Sequence, residues 1–152
     1  IRKSKQTWIS KKNEIVLNIM NKISLIVDKP VNNFEDLQVV RYEPSEYYNE
    51  HHDACCIKNI YCDDFIKVSG QRLYTFLIYL SDDFIGGNTE FKNLNQKFKL
   101  SKGDAIFFHT LDKNQNLCHN LALHAGLPVK SGIKWICNIW VREGEFPSKI
   151  SL

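Results

Sequence analysis

Residues 121–141 read LALHAGLPVKSGIKWICNIWV, and the last eight of them carry the fold. In KWICNIWV (134–141) strand alternation puts Lys134, Ile136, Asn138 and Trp140 on one face and Trp135, Cys137, Ile139 and Val141 on the other. Both faces are largely apolar, the mark of an inner strand covered on both sides rather than one with a wet face. A lysine on such a strand costs free energy unless an anion meets it, or unless its stem lets the ammonium reach solvent. The preceding KSGIK is a turn signal, and LALH before it reads as a short apolar strand ending at His124.

Working outward, the same texture recurs in LQVVRY (37–42), RLYTFLIYL (72–80), TEF (89–91), KFKL (97–100) and AIFFHT (105–110). These are short runs rich in β-branched and aromatic residues, divided by turn formers such as SDDFIGGN and SKGD. No second long helical pattern separates them, so the spacing predicts hairpins and Greek-key crossings rather than β-α-β units. One helix precedes them. Ile15, Val16, Ile19, Met20, Ile23, Ile26 and Val27 recur at three- and four-residue intervals over 11–27, with Ser10 as the expected N-cap, Pro30 as the stop, and a loop over 32–36. The expected fold is mainly β with a flanking helix, built on a double-stranded β-helix (jelly-roll) core.

The chain has 152 residues and 43% hydrophobic content, which suits a single domain over 1–152 with a sizeable core. Its 20 basic and 17 acidic residues leave a net charge of +3, too small and dispersed to indicate nucleic acid. No apolar run is long enough to span a membrane, and the first residues lack a signal-peptide core, so a soluble chain is expected, cytoplasmic or in the lumen of the secretory pathway. Starting at Ile1, it reads as a mature or trimmed fragment. Five cysteines make an odd count, which points to reduced thiols, with Cys55 and Cys56 unpaired and metal-free; no second cysteine pair completes a zinc site.

The stretch NEHHDACC (49–56) raises the question of a metal. If it is extended, His51 and Asp53 share a face while His52 points away. An isolated H-x-D is more often a solvated pair, and His124 alone is as readily a satisfied core histidine as a ligand. Together, two histidines and one carboxylate with open positions are the facial set used by non-haem Fe(II) oxygenases; zinc more often recruits a third histidine or a thiolate.

With Lys134 ten residues after His124, this pattern resembles the prolyl 4-hydroxylases, within the Fe(II)/2-oxoglutarate-dependent dioxygenases. LQVVRYEPSEYYNEHHD, YLSDDFIGGNTEF, KGDAIFFH and LHAGLPVKSGIKWICNIWV are similar to that family's successive segments, and the likeness runs from RKSKQTW to the C-terminal signature. The resemblance implies that His51, Asp53 and His124 bind Fe(II), and that Lys134 pairs with the 5-carboxylate of 2-oxoglutarate. It further implies that Thr89 and Tyr42 help hold that cosubstrate, that ascorbate serves as reductant, and that Tyr48 and Trp140 line the groove for the target proline. Read without the family, Tyr48 and Trp140 are equally packing aromatics and Thr89 a β-former after a turn.

His52 departs from the family, which carries Tyr or Phe there. Relatives have a further helix and strands ahead of the position of Ile1, and CCIKNIYCDDFIKVSG (55–70) corresponds to their variable substrate-covering loop. The implied activity is hydroxylation of peptidyl proline, coupled to decarboxylation of 2-oxoglutarate to succinate, on a proline-containing peptide or protein. Two alternatives stand beside it: the same chemistry on another substrate, such as a regulatory protein's proline, a lysyl residue or a free amino acid, and a peptide-binding relative without turnover.

Overall fold

The computed structural model describes residues 1–57, 60–114 and 117–148. In chain order the elements are β1 (Arg2–Lys3), β2 (Lys5–Ile9), α1 (Glu14–Val27), β3 (Leu37–Tyr42), β4 (Tyr47–His51), α2 (Ile60–Ser69), β5 (Arg72–Tyr79), β6 (Ile85–Gly86), β7 (Thr89–Phe91), β8 (Gln96–Phe98), β9 (Ala105–His109), β10 (His124–Gly126), β11 (Val129–Ser131) and β12 (Lys134–Arg142). They form two five-stranded antiparallel sheets, ordered β1-β4-β10-β7-β8 and β2-β3-β12-β5-β9, with β6 and β11 as a small separate ribbon. The fold is mainly β with a jelly-roll core.

Strand β12 lies between β3 and β5, with Ile136 opposite both Val40 and Tyr79. Its outward residues Cys137, Ile139 and Val141 pack with Phe76 against α1. Its inward residue Ile136 packs with Val40, Leu77 and Phe84 between the sheets. Alternation therefore divides β12 as the sequence implied, and Lys134, Asn138 and Trp140 face the interior cavity.

Helix α1 docks through Val16, Met20, Ile23 and Val27. Ile15 and Ile26 fall off this narrower stripe and are exposed at 73% and 66%. The N-cap is Asn13, not Ser10: Asn13 Oδ1 accepts from the amides of Ile15 and Val16 at 3.1 and 3.3 Å. Ser10 instead closes the preceding turn, its carbonyl accepting from Asn13 N at 2.9 Å and its hydroxyl from Lys12 N at 3.2 Å. Met20 is fully enclosed, so Met20→Ala is expected to cost about 2–5 kcal/mol through lost transfer energy and a residual cavity. Urea unfolding measures it, and a loss below about 1 kcal/mol would mean that α1 is not docked as described.

The structure corrects the sequence reading in four further places. The loop at 32–36 contains a 3-10 turn, Val31–Asn33, and a fully buried Phe34 that bridges to Val141. LALH is not a strand: Asn120–Ala122 is a 3-10 turn, whose Leu121 amide is capped by His119 Nδ1, and β10 begins only at His124. The covering segment holds the second helix, α2, which buries only Cys62 and Ser69 among its residues and so shows little apolar periodicity. Finally, the cysteines are not reduced: Cys55 bonds Cys62 and Cys56 bonds Cys118, leaving Cys137 as the buried free thiol. The odd count reflects one spare cysteine, and the Cys56–Cys118 bridge joins residues 62 apart, a proximity that spacing cannot reveal.

Candidate active site

Strands β4 and β10 are neighbours in one sheet, and their register sets His51 directly opposite His124. Asp53 stands two residues beyond β4, on a bend. One candidate ligand atom from each of His51, Asp53 and His124 lies within 4.8 Å of the other two. Nε2 of His51 stands 3.7 Å and Nε2 of His124 3.9 Å from the Asp53 carboxylate oxygens, too far for hydrogen bonds.

The other nitrogen of each ring decides what these atoms offer. His51 Nδ1 donates to Asn49 O at 2.8 Å and His124 Nδ1 to Ala122 O at 2.9 Å. A carbonyl can only accept, so in the neutral rings both Nε2 atoms carry lone pairs aimed at a carboxylate. Two nitrogen acceptors and an anion facing one another over a gap, each ring oriented by a backbone carbonyl, is an arrangement that fits a divalent cation. Burial, followed by the proximity of His124, lowers the His51 pKa to about 4. Burial opposes ionisation of Asp53, yet His124, His51, Arg72 and a 2.7 Å hydrogen bond from Thr75 Oγ1 outweigh it and hold the carboxyl at about 2.

His52 is not part of this group. It borders the cavity instead of facing open solvent, with Nδ1 buried and lacking a hydrogen-bond partner.

The triad opens into a cavity of about 930 Å³ that also reaches Lys134, Thr89 and Tyr42. Lys134 is 2% exposed, and its ammonium donates to Gly87 O at 2.6 Å and to Thr89 Oγ1 at 3.5 Å. Neither oxygen is charged, and burial lowers the Lys134 pKa to about 7. Gly87 is needed for this approach. It has φ +63°, and a Cβ there would lie 3.0 Å from Val129 Cγ2 and 3.3 Å from Lys134 Cδ. Tyr42 sits beneath the ammonium, its ring centroid 5.7 Å away, and Thr89 Oγ1 is 2.8 Å from the Tyr79 hydroxyl.

Tyr48 and Trp140 border the same cavity. Tyr48 stacks on His51 with centroids 3.6 Å apart and carries the Arg2 guanidinium 4.9 Å from its ring. Trp140 is covered by the Arg72 guanidinium at 3.7 Å, and its Nε1 is buried without a hydrogen-bond partner.

Sequence reasoning missed the polar group behind Trp140. Glu35 accepts from Arg72 Nε and Nη2 at 2.7 and 2.8 Å and from Arg142 Nε at 2.7 Å. Burial works against the Glu35 charge, but the two guanidiniums win and keep its pKa below the usual value. Arg142 continues to the carbonyls of Phe65 and Gly70, fastening α2 over the cavity. The available signal was a charged residue at each end of a buried run, Arg72 opening β5 and Arg142 closing β12. Nothing local paired them with Glu35.

A family model for the 2OG-Fe(II) oxygenase superfamily matches residues 37–142. A protein of Acanthamoeba polyphaga mimivirus, named provisionally as a prolyl 4-hydroxylase, is 54% identical over 146 residues, covering 96% of this chain and 60% of that protein. Prolyl 4-hydroxylase 1 of Arabidopsis thaliana is 32% identical over 151 residues, covering 90% and 51%. Thus the chain spans half to three fifths of the length of these relatives. Among solved structures, the viral collagen prolyl hydroxylase of Paramecium Bursaria Chlorella virus-1, in complex with 2OG, superposes with a TM-score of 0.76 at 38% identity, covering 93% of this chain and 79% of that one. By sequence and by fold, the chain belongs to the 2OG-Fe(II) oxygenase superfamily and, within it, to the prolyl 4-hydroxylase family.

Proposed function

We propose that residues 1–152 are a single catalytic domain that hydroxylates peptidyl proline, with Fe(II) held by His51, Asp53 and His124 and with 2-oxoglutarate as cosubstrate. The observation that carries this reading is a gap between two oriented histidines and a carboxylate, sharing one cavity with a buried ammonium that meets no carboxylate among the described residues. Ferrous iron in that gap would supply activation of dioxygen for insertion into a prolyl C–H bond, while 2-oxoglutarate is oxidised to succinate and carbon dioxide, and ascorbate would serve as reductant.

The chain's own residues bind and aim. Lys134, with Thr89 and Tyr42 beside it, offers a dry cationic seat for the far carboxylate of a dicarboxylic acid. Thr75 holds one Asp53 oxygen, so the carboxylate presents the other. Tyr48 and Trp140 supply aromatic walls suited to a prolyl ring, and the unpaired indole N–H of Trp140 awaits an acceptor such as a peptide carbonyl. Glu35, Arg72 and Arg142 keep the Trp140 wall rigid, which favours orientation of one C–H bond.

Partners are therefore proline-containing peptides or proteins. Among the described residues no helix is long and apolar enough to cross a membrane. Two disulfides favour an oxidising compartment, such as the secretory lumen, over the cytosol.

Incubating the chain with Fe(II), 2-oxoglutarate, ascorbate and proline-rich peptides tests the proposal. The expected result is a gain of one oxygen per modified proline by mass spectrometry, matched mole for mole by succinate. Succinate release that requires lysyl peptides or a free amino acid, with no prolyl product, would replace proline as the substrate; peptide binding with neither product would mark a non-catalytic relative.

A further inference from the structure

Both disulfides begin within three residues of the candidate metal ligand Asp53. Cys56 lies three residues after Asp53, and Cys118 lies six before His124. Their bond therefore links the segment that bears His51 and Asp53 to the segment that bears His124. Sheet pairing cannot do this for Asp53: the ladder ends at His51 opposite His124, and Asp53 sits on irregular chain beyond β4. Thr75 Oγ1 fixes the Asp53 side chain at 2.7 Å, but the Asp53 backbone is tied loosely, its carbonyl receiving a 3.4 Å contact from Arg72 Nη1.

Residues 54–56, immediately beyond Asp53, are held far more firmly. The Ala54 side chain packs with Leu73 and Leu111, and the Cys118 side chain lies against this cluster, with Sγ 3.5 Å from Ala54 O. Gln71 grips Cys55 from both sides, its Oε1 accepting from the Cys55 amide and its Nε2 donating to the Cys55 carbonyl. Cys55 is bridged to Cys62 in the first turns of α2, the helix whose Tyr61, Phe65 and Val68 line the cavity.

We propose that the paired bridges are a positioning clamp for the site, a role that rests on the metal reading above and makes it dependent on oxidation. Cys56–Cys118 holds Asp53 in range of His124, and Cys55–Cys62 holds α2 across the cavity mouth. Cys56 is exposed, so a reductant can reach the first bridge. Opening each bridge takes two electrons and two protons and leaves two thiols; with a trialkylphosphine the phosphorus supplies the electrons and becomes the phosphine oxide, and water supplies its oxygen and both protons.

The test uses the oxidised full chain, titrated anaerobically with Co(II) alone and followed by calorimetry and by the visible absorbance of the bound ion. In parallel, hydrogen exchange of the metal-free protein is read over 52–57. For Cys56→Ser/Cys118→Ser we expect Co(II) affinity to fall at least tenfold, the scale seen when groups that orient metal ligands are removed, with faster exchange at 52–57 and full protection retained in β3, β5 and β12. For Cys55→Ser/Cys62→Ser we expect Co(II) affinity within about threefold of the parent and faster exchange in α2. The parent treated with phosphine should behave as both variants combined, and Cys56→Ala/Cys118→Ala, which suits the apolar seat, repeats the first arm without buried hydroxyls. Unchanged cobalt affinity in the Cys56 variants overturns the clamp alone. Loss of protection throughout the sheets marks the bridge as merely structural and overturns its positioning role. A parent chain that takes up no cobalt overturns the metal reading and the clamp with it.

Discussion

Replacing Lys134 by methionine is expected to weaken 2-oxoglutarate binding by a factor of about 10² to 10⁴, because it leaves the ligand's carboxylate buried and unpaired, a loss of roughly 3–5 kcal/mol. The same substitution should stabilise the empty chain. Burial lowers the Lys134 pKa from 10.5 to about 7. The unfolded chain therefore binds more protons than the folded one between pH 7 and 10.5, so stability rises with pH across that window. Below pH 7 the full cost of the buried ammonium is present, roughly 5 kcal/mol. Methionine removes that cost, at the expense of about 1–3 kcal/mol for leaving the Gly87 carbonyl unpaired. The net gain at pH 7 should appear as a melting temperature several degrees higher, and the gain should shrink as the pH approaches 10.

Ligand binding carries the opposite pH sign. The dianion needs a charged Lys134, so above pH 7 binding takes up a proton and affinity falls by up to tenfold per pH unit. Calorimetry in buffers of different ionisation enthalpy measures this uptake. Undiminished 2-oxoglutarate affinity in Lys134→Met would remove the ammonium from the cosubstrate site.

His124→Ala is expected to abolish turnover and to reduce divalent-metal affinity by more than about 100-fold, since it removes one of three donors outright and exceeds the effect of losing an outer partner. His124 is buried among Phe91 and Phe108, with ring centroids 5.5 and 5.0 Å away. The truncation should cost stability only as a small core cavity does, about 1–3 kcal/mol. Affinity for a proline-rich peptide should persist, because Tyr48, Trp140 and the Arg72–Glu35 group are untouched. Fluorescence titration with the peptide, alongside metal titration, separates the two effects. A variant that still turns over peptide would exclude His124 from the metal set.

Most of the fold and part of the site were legible in the sequence, and the boundary between the two is physical. LQVVRY and KWICNIWV announce their strands because side-chain parity is a property of the extended backbone itself. The same parity placed Lys134 on the cavity face of β12, whereas Asp53 meets His51 from a bend beyond β4, where strand alternation no longer applies. In α1 the stripe was visible but drawn too wide: Ile15 and Ile26 share its spacing and are exposed, whereas Val16, Met20, Ile23 and Val27 are buried against the sheet with Ile19 partly buried beside them. Helix α2 left almost no trace, since a helix pinned at one end by a disulfide and at the other by Arg142 does not need an apolar face to stay in place.

The sequence by itself determined which residue types alternate along each strand, which face of α1 is apolar, and which side chains could serve as ligands, all consequences of backbone geometry acting over a few residues. Only the tertiary structure decided that His51 pairs across a ladder with His124, that Glu35 is shared by Arg72 and Arg142, and that Cys56 reaches Cys118. Each of these joins positions tens of residues apart, and such contacts are set by sheet order and register, which depend on how all the strands bury their faces together rather than on any local pattern.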